Sequence, residues 1–599
     1  MDSRTPFGRL FDRPRSGRRV WTAAIRGLVA ALLLFAHGSA SNAAAPDPAW
    51  GRDGMVVTAQ VDSTRAGVAM LALGGNAVDA AVAAAFASSV TEPYSAGIGG
   101  GAFILLRLAS GALVAIDARE TAPAAATRDM YLGPDVPERA SLEGPLSVAT
   151  PGLVAGLSLA LERYGTMSLA DVMEPAIALA RRGFEIGPYH VEELEWLRER
   201  DFPERFPETA RIQFPPPGAP LEPDWRLVQS DLARTLEQIA GGGPDVFYRG
   251  AVARAIADDM AKSGGILSAE DLAAYTPAVR EPLRGSYRGY EVVTFPPPSS
   301  GIALIEALNI LEGFDLGRYG PGSSASIHRI AEALKLAFAD RAAFLGDADF
   351  VDVPLRRLVS KDYAAAQRAR INPPRWRRAP WTWGRSEVAI RVKSPGRPVD
   401  DAGTTHLSTS DAAGNAVAIT MTINTSFGSG MTVPGLGIVL NNEMDDFSVA
   451  KAVPNVYGLL DMQGANGIAP GKRPLSSMTP TIVLRDGALF MVTGSPGGPR
   501  IVSTTLLSLV NVVDYGMNVQ EAVSAPRFHH QWEPDRIYLE PDPPADVVEA
   551  LRRRGHEVRV QDWHWSAAEA IAVDPQTGWH RGGSDPRRDG LAQGYTRPR

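Results

Sequence analysis

Residues 404–424 predict a β-hairpin, which restricts the chain to folds that contain antiparallel sheet. The segment reads TTHLSTSDAAGNAVAITMTIN, in which two alternating stretches flank the turn residues DAAGN. If this five-residue turn is symmetric, Ser410 pairs with Ala416. Counting outward from that pair places Thr404 opposite Thr422. Threonines that face each other across two strands lie within hydrogen-bond reach.

Facing threonines are common in strands because of their β propensity alone. The residues around Thr404 favour a chemical role for this pair. Thr404 directly follows Gly403, which ends a Pro-, Arg- and Trp-rich stretch, residues 371–403, that we predict to be a mobile surface segment. Gly403 lets the peptide bond bend toward the threonine hydroxyl. Cleavage of that bond would place a new α-amine, with a pKa of about 8, beside the hydroxyl as a general base.

The rest of the chain mixes helices with short strand pairs. Residues 78–90 are Ala-rich and apolar on nearly every side, which predicts a buried helix that Asn76 can cap. Residues 103–108 and 113–117 predict a hairpin, and residues 324–344 predict a helix. Hairpins without strict strand–helix alternation favour an α+β sandwich in which helices cover the sheets.

Composition excludes several kinds of site. The 599 residues include no cysteine, so a disulfide, a thiolate metal site and a cysteine nucleophile are all impossible. A nucleophile must therefore come from another side chain, such as Ser or Thr. The formal net charge is −7, which gives no indication of a nucleic-acid partner.

Residues 1–45 have the three-part pattern of a secretory signal peptide. Arginines precede the apolar stretch GLVAALLLFA, and small residues follow it. The apolar stretch is short for a permanent membrane anchor, although an uncleaved anchor is the alternative interpretation. We therefore expect a periplasmic or secreted protein with no membrane attachment once the peptide is removed.

Three further groups of residues each have two interpretations. NNEMDD at 441–446 offers carboxylates for a substrate ammonium group, or it is a solvated acidic loop or a calcium site. GSPGG at 494–498 is a turn whose N–H groups converge on one oxygen as an oxyanion hole, or it is a plain turn. His529 and His530 point apart in a strand, so we expect them to be structural.

Many motifs together resemble those of the γ-glutamyltranspeptidase family. Upstream of the hairpin they are GGNAVDAA, GIGGGAF, DARETAPAAATRDMY, PGLVAGL, PPPSSG and ADRAAFLGD. From the hairpin onward they are TTHLSTSDAAGNAVAITMTINTSFGSG, NNEMDDFS, PNVYG, KRPLSSMTPTIV, TGSPGG, APRFHHQW and GGSDPRRDG. The motifs occur in the family's order over residues 54–595, which makes the resemblance specific.

The resemblance implies a precursor that cuts itself between Gly403 and Thr404. Residues 46–403 would become a large subunit and residues 404–599 a small catalytic subunit. The two would stay together as one four-layer αββα sandwich of the N-terminal-nucleophile hydrolase type. Thr404 would be the nucleophile, Thr422 would hydrogen-bond to it, and no metal or organic cofactor would be needed.

The resemblance also implies how a glutamyl group is held at its charged end. Arg119 would bind the α-carboxylate as a fork-shaped donor. Asp446, with Asn424 and Glu443, would bind the α-ammonium group. Glu443 stands where related bacterial members can carry Gln, a departure that changes how the ammonium group is held.

Further contacts are implied around the reacting amide. Ser476 and Ser477 would add contacts at the carboxylate end. Gly497 and Gly498 would supply the oxyanion hole. Tyr457 lies in a stretch, residues 451–462, that looks like the lid loop of bacterial members.

The implied reaction is acyl transfer from glutathione or another γ-glutamyl compound to Thr404, and then to water, an amino acid or a dipeptide. Two alternatives remain at this stage. One is an acylase on the same scaffold that hydrolyses glutaryl-type amides such as cephalosporin side chains. The other is a non-catalytic protein that binds γ-glutamyl compounds and never cuts itself.

Overall fold

Two seven-stranded sheets lie at the centre of the protein. The computed structural model describes residues 46–371 and 403–598. The predicted signal peptide, and the Pro/Arg/Trp-rich segment apart from its first and last residues, lie outside the described residues. No helix among the described residues has the length and apolar character needed to cross a membrane.

The strands in chain order are β1 Ala49–Gly51, β2 Gly54–Thr58, β3 Gly101–Arg107, β4 Leu113–Ala118, β5 Phe184–Glu185, β6 Arg226–Leu227, β7 Ala278–Arg280, β8 Leu283–Tyr287, β9 Tyr290–Thr294, β10 Thr404–Asp411, β11 Ala416–Thr422, β12 Thr432–Val433, β13 Ile438–Val439, β14 Thr481–Arg485, β15 Ala488–Gly494, β16 Phe528–His529, β17 Ile537–Leu539, β18 Val558–Val560, β19 Glu569–Val573, β20 His580–Ser584 and β21 Leu591–Tyr595. The hairpin sheet has the order β21-β2-β10-β11-β3-β4-β7, and the second sheet has the order β1-β20-β19-β15-β14-β9-β8. Neighbouring strands in both sheets are antiparallel.

The helices in chain order are α1 Val61–Ala72, α2 Ala77–Thr91, α3 Leu153–Tyr164, α4 Leu169–Arg182, α5 Pro188–Arg198, α6 Phe202–Arg205, α7 Pro207–Gln213, α8 Ser230–Gly242, α9 Asp245–Tyr248, α10 Ala251–Ser263, α11 Ala269–Ala274, α12 Gly301–Leu311, α13 Ser324–Phe344, α14 Leu355–Leu358, α15 Lys361–Arg368, α16 Arg500–Val513, α17 Val519–Ser524 and α18 Ala545–Arg553. Short 3₁₀ turns cover Pro145–Ser147 and Glu443–Asp446. The helices predicted over 78–90 and 324–344 are α2 and α13.

Apolar side chains form three layers of core around the two sheets. One layer lies between the sheets, where the rings of Phe103 and Phe295 stack at 4.3 Å. A second layer joins the hairpin sheet to α1–α4, and a third joins the second sheet to α12, α13 and α16. The four-layer αββα sandwich expected from the sequence is therefore confirmed.

Helix α2 illustrates how local sequence determines this packing. The Asn76 side chain accepts hydrogen bonds from the amides of Val78 and Asp79, and the Asp79 carboxylate accepts one from the Asn76 amide. This capping box fixes the start of the helix. All 15 residues of α2 are buried, as its apolar composition predicts, and the helix packs on β10 and β11.

The predicted register of the central hairpin is confirmed. Ser410 pairs with Ala416 and Thr404 pairs with Thr422 across β10 and β11. The turn keeps this register because Asp411 accepts hydrogen bonds from the amides of Ala413 and Asn415. The hairpin lies in the middle of its sheet, so its open end is enclosed by neighbouring strands and loops.

Candidate active site

The two threonine hydroxyls predicted to lie side by side do so at the open end of the hairpin. Oγ1 of Thr404 is 2.9 Å from Oγ1 of Thr422. The Thr422 hydroxyl donates to the carbonyl oxygen of Gly403 at 2.7 Å and accepts from the amide of Asn424 at 2.8 Å. Thr404 must then donate to Thr422, because the other hydroxyl proton is already used.

The peptide bond before Thr404 is held by donors on its carbonyl oxygen. The Gly403 oxygen accepts from the Thr422 hydroxyl and, at 3.0 Å, from the amide of Ile423. Two donors on one carbonyl oxygen resemble an oxyanion hole for attack on that carbonyl. A Cβ at position 403 would collide with the carbonyl of Asn424, so glycine is required here for close approach. The sequence had instead indicated that Gly403 permits a bend.

Arg588 holds the other side of Thr404, a role that the sequence did not reveal. Its Nη1 donates to the Thr404 carbonyl at 2.9 Å and to the Ser95 hydroxyl at 3.2 Å. The same nitrogen lies 3.8 Å from the buried carboxyl of Glu92. Arg588 occurs in the motif GGSDPRRDG, which was the available indication of its importance.

Arg119 and two carboxylates form a buried ionic cluster. Nη1 of Arg119 lies 2.7 Å from Glu443, and Nη2 donates to Asp446. Nε donates to the carbonyl of Pro474 at 3.3 Å. Glu120 contributes a third carboxyl, 3.6 Å from Nη1. Residues 119 and 446 were predicted to bind opposite charges of one substrate, and the structure places them in contact.

Burial shifts the pKa values of every charged group in this cluster. Burial raises the pKa values of Glu443 and Asp446 despite the opposing effect of Arg119. Burial also raises the pKa of Glu120 to about 8. Burial alone would lower the pKa of Arg119, but the three carboxylates outweigh it and the net shift is upward. The Arg119 guanidinium therefore faces three carboxyl groups, each of which burial shifts toward its neutral form.

Asn424 and Tyr457 connect the threonine pair with the loop predicted to be a lid. The Tyr457 hydroxyl donates to the carbonyl of Asn424 at 2.5 Å. The Asn424 side chain donates to the carbonyl of Asn442 at 2.9 Å, and its backbone has a φ of +80°. Asn is one of the few residues that tolerates this left-handed conformation. The contacts with Tyr457 and Asn442 therefore hold Asn424 in place, two residues after Thr422.

Ser476 and Ser477 lie beside a second buried guanidinium. Nη2 of Arg341 donates to the Ser477 hydroxyl at 3.4 Å, and Nε donates to Ser300 at 2.9 Å. Ser300 in turn donates to the carbonyl of Ser476 at 2.6 Å. Burial lowers the pKa of Arg341 to about 10, although the nearby carboxylate of Asp446 opposes this shift. Arg341 lies in the motif ADRAAFLGD, but the sequence did not assign it a role.

Gly497 and Gly498 form a tight turn between β15 and α16. Their φ angles are +128° and +53°, which favour glycine. A Cβ on Gly498 would lie 2.7 Å from the ring of Tyr457, so the turn faces the lid loop. Among the described residues, no hydrogen bond is donated by either amide. Both remain available to an oxygen atom of a ligand.

The two adjacent histidines, which we expected to be structural, both contact neighbouring polar side chains. Ser503 is 2.9 Å from Nδ1 of His529, and Gln531 is 2.9 Å from Nε2. His530 lies 3.1 Å from Asp535.

In the acidic loop, Asp445 accepts hydrogen bonds from the Ser141 hydroxyl at 2.7 Å and from a lid-loop amide, and burial raises its pKa to about 6. This loop is therefore buried and not solvated.

The chain is similar to known proteins along most of its length. The family model described as gamma-glutamyltranspeptidase matches residues 63–595. The glutathione hydrolase proenzyme of Escherichia coli strain K12 is 46% identical over 556 residues, which cover 92% of this chain and 93% of that protein.

Solved structures show the same architecture. A cephalosporin acylase from Bacillus halodurans is 29% identical with a TM-score of 0.78, and the match covers 93% of this chain and 99% of that one. A Helicobacter pylori gamma-glutamyltranspeptidase chain is 42% identical with a TM-score of 0.51, and the match covers 52% of this chain and 90% of that one. With the family model matched over residues 63–595, the chain belongs to the γ-glutamyltranspeptidase family of enzymes.

Proposed function

We propose that this chain is a proenzyme that cuts itself between Gly403 and Thr404 and then uses Thr404 to transfer γ-glutamyl groups. One observation carries the proposal: the Thr422 hydroxyl contacts both the Thr404 hydroxyl and the Gly403 carbonyl oxygen. The nucleophile, its hydrogen-bond acceptor and the bond to be cut are thus already assembled in the uncut chain.

Self-cleavage follows from this arrangement. Oγ1 of Thr404 attacks the carbonyl carbon of Gly403 and gives its proton to Thr422, which passes its own hydroxyl proton on toward the negative charge that develops on the Gly403 oxygen. Thr422 and the amide of Ile423 stabilise that charge. The C–N bond then breaks, the nitrogen of Thr404 takes up the proton as an amine, and water hydrolyses the resulting ester. The products are a chain that ends at Gly403 and one that begins with Thr404.

The ionic cluster around Arg119 supports recognition of a free glutamyl end. An α-carboxylate can replace a carboxylate partner of the guanidinium, and an α-ammonium group can pair with Asp446 and Glu443. We propose that Asn424 and the serines 476 and 477 contact the same group. A bound zwitterion would pair its ammonium group with the carboxylates and its carboxylate with the guanidinium, and its side-chain amide would extend toward Thr404.

Catalysis then proceeds through an ester. The new α-amine takes the proton from Oγ1 of Thr404, which attacks the γ-amide carbonyl, and the leaving amine takes that proton. The free amides of Gly497 and Gly498 stabilise the oxyanion. Water, an amino acid or a dipeptide amine resolves the γ-glutamyl ester. Glutathione fits this substrate class, and the chemistry requires only the side chains and amides already described.

The first 45 residues support a location for the enzyme, and the strand order of the two sheets supports its subunit assembly. The first 45 residues match a secretory signal peptide, so we propose export to the periplasm or the medium. The strands before and after the cut share both sheets, so the large subunit (46–403) and small subunit (404–599) stay together as a heterodimer.

A glutaryl-type acylase is the second candidate, favoured by the similarity to a cephalosporin acylase. A glutaryl group carries a carboxylate but no ammonium group, so it makes no ion pair of its own with Asp446 or Glu443. We therefore expect γ-glutamyl p-nitroanilide to be hydrolysed at least about 10²-fold more efficiently than glutaryl p-nitroanilide, measured as kcat/KM. Faster cleavage of the glutaryl compound would assign the enzyme to the acylases.

Thr422→Val tests the proposed role of the second hydroxyl. The substitution keeps the size and β propensity of the side chain but removes both hydrogen bonds, so self-cleavage should slow by about 10²-fold. Gel densitometry of freshly purified protein over time measures the rate. Thr420→Val is the matched control, because Thr420 lies on the same strand and its hydroxyl contacts His406 instead. Equal cleavage rates in the two variants would contradict the role of Thr422.

A further inference from the structure

Two histidines and a glutamate cluster outside the candidate active site. His328 and Glu332 lie one turn apart on α13, and His556 lies in the loop between α18 and β18. One ligand atom from each of the three side chains lies within 4.8 Å of the other two. Nδ1 of His328 is 2.7 Å from Nε2 of His556, which is the His556 nitrogen that could share an ion with His328. The other nitrogen of that ring, Nδ1, is 3.9 Å from a carboxylate oxygen of Glu332.

We propose that this cluster binds a divalent transition-metal ion of the zinc class. Imidazole nitrogens and a carboxylate oxygen are the ligands that zinc prefers in a cysteine-free chain. The spacing of four residues between His328 and Glu332 directs both side chains to one face of α13. Three protein ligands leave a fourth position for water.

The surroundings allow an ion to enter and keep its ligands ordered. The side chains of His556 and Glu332 are 8% and 14% exposed, so the cluster is nearly buried but reachable from solvent. Zinc ligands at about 2.0–2.1 Å in tetrahedral geometry are about 3.3 Å apart, so the two imidazoles must separate by about 0.6 Å. His556 lies in a loop and can make this adjustment without a change in either helix.

Nearby charges modulate the site without preventing binding. The ammonium group of Lys335 lies near Glu332, and its positive charge repels a metal cation bound there. This charge is paired with the carboxylate of Asp535 at 2.5 Å. Asp535 also pairs with His530.

The three residues of the cluster come from both sides of the proposed cleavage site. His328 and Glu332 precede residue 403, and His556 follows it. If the chain is cut as proposed above, the ion joins the large subunit to the small one. Binding of the metal itself does not depend on that cut, so failure of one proposal leaves the other testable.

The experiment uses untagged, full-length purified protein dialysed against a chelator and then against buffer. Titration calorimetry with Zn²⁺ should give one site per molecule, and Co²⁺ should produce the visible absorption of a nitrogen- and oxygen-ligated ion. Zn²⁺ at about a hundredfold excess over Kd should raise Tm by about 2 °C. Absence of saturable binding to the wild-type protein would overturn the proposal.

Substitutions within the cluster test whether the ion binds there. His556→Gln and Glu332→Gln should each weaken Zn²⁺ binding at least about tenfold and remove the cobalt spectrum. His564→Gln is the matched control, since His564 is an exposed histidine in the same part of the chain. Circular dichroism and Tm without metal check that each variant is folded. Wild-type binding by both cluster variants, or an equal loss in His564→Gln, would show that the metal binds elsewhere.

Discussion

We expect the Thr404→Ala variant to remain one uncut chain and to lose at least about 10⁴-fold of its γ-glutamyl hydrolase activity. Alanine has no hydroxyl to attack the Gly403 carbonyl, and no nucleophile replaces it. Thr404 is only 5% exposed, so bulk water has poor access to the bond. Intact mass spectrometry of the purified protein, with N-terminal sequencing of any fragment, measures the first effect.

Two further variants make this result specific. Thr404→Ser keeps a hydroxyl, so it should cut itself and retain measurable activity. Thr405→Val changes the next residue of the same strand, whose side chain points to the opposite face, and should behave like the wild type. A fragment that begins at residue 404 in the Thr404→Ala protein would refute self-cleavage by this hydroxyl, as would an uncut Thr404→Ser protein.

The second large effect concerns the charged end of the substrate. Asp446→Asn should lower kcat/KM for γ-glutamyl p-nitroanilide by about 10³-fold, because a neutral amide cannot balance a buried ammonium group. Hydrolysis of glutaryl p-nitroanilide, which lacks that ammonium group, should change by less than about tenfold. Steady-state kinetics on fully cleaved protein measures both values.

Arg119→Lys is the matched comparison for this experiment. Both substrates carry the carboxylate that Arg119 is proposed to bind, and lysine cannot reproduce the two-pronged guanidinium contact. Both kcat/KM values should therefore fall together. Equal losses for the two substrates in Asp446→Asn would contradict its assignment to the ammonium group, and unequal losses in Arg119→Lys would contradict the assignment of the carboxylate.

The structural features that the sequence predicted most completely are local ones. The pairing of Thr404 with Thr422 followed from a period of two and a symmetric turn, both contained in one short segment. The capped and buried helix α2 followed from composition and from Asn76 in the same way. Such features depend on neighbours in the chain, so the sequence displays them directly.

Features that depend on distant segments were not accessible from pattern alone. The contact between Arg119 and Asp446 joins positions 327 residues apart, and no periodicity relates them. The contacts of Arg341 with Ser477 and of Arg588 with Thr404 likewise join segments that are far apart in the chain. Arg341 and Arg588 come close to their partners only when folding brings these distant motifs together. The family resemblance supplied the residues that we propose to bind the substrate's charged end, but it did not supply the ion pairs among them.

The strand order of the hairpin sheet has a consequence for biosynthesis. Strand β2 is complete at Thr58, yet both of its neighbours, β10 and β21, come from beyond residue 403. During translation β2 therefore leaves the ribosome long before either pairing partner exists, and its hydrogen-bonding edges stay open until the carboxyl terminus has been made. A premature cut would release the leading segment with those edges unpaired. Encoding both segments as one polypeptide keeps the partners at high mutual concentration until the sheet has closed.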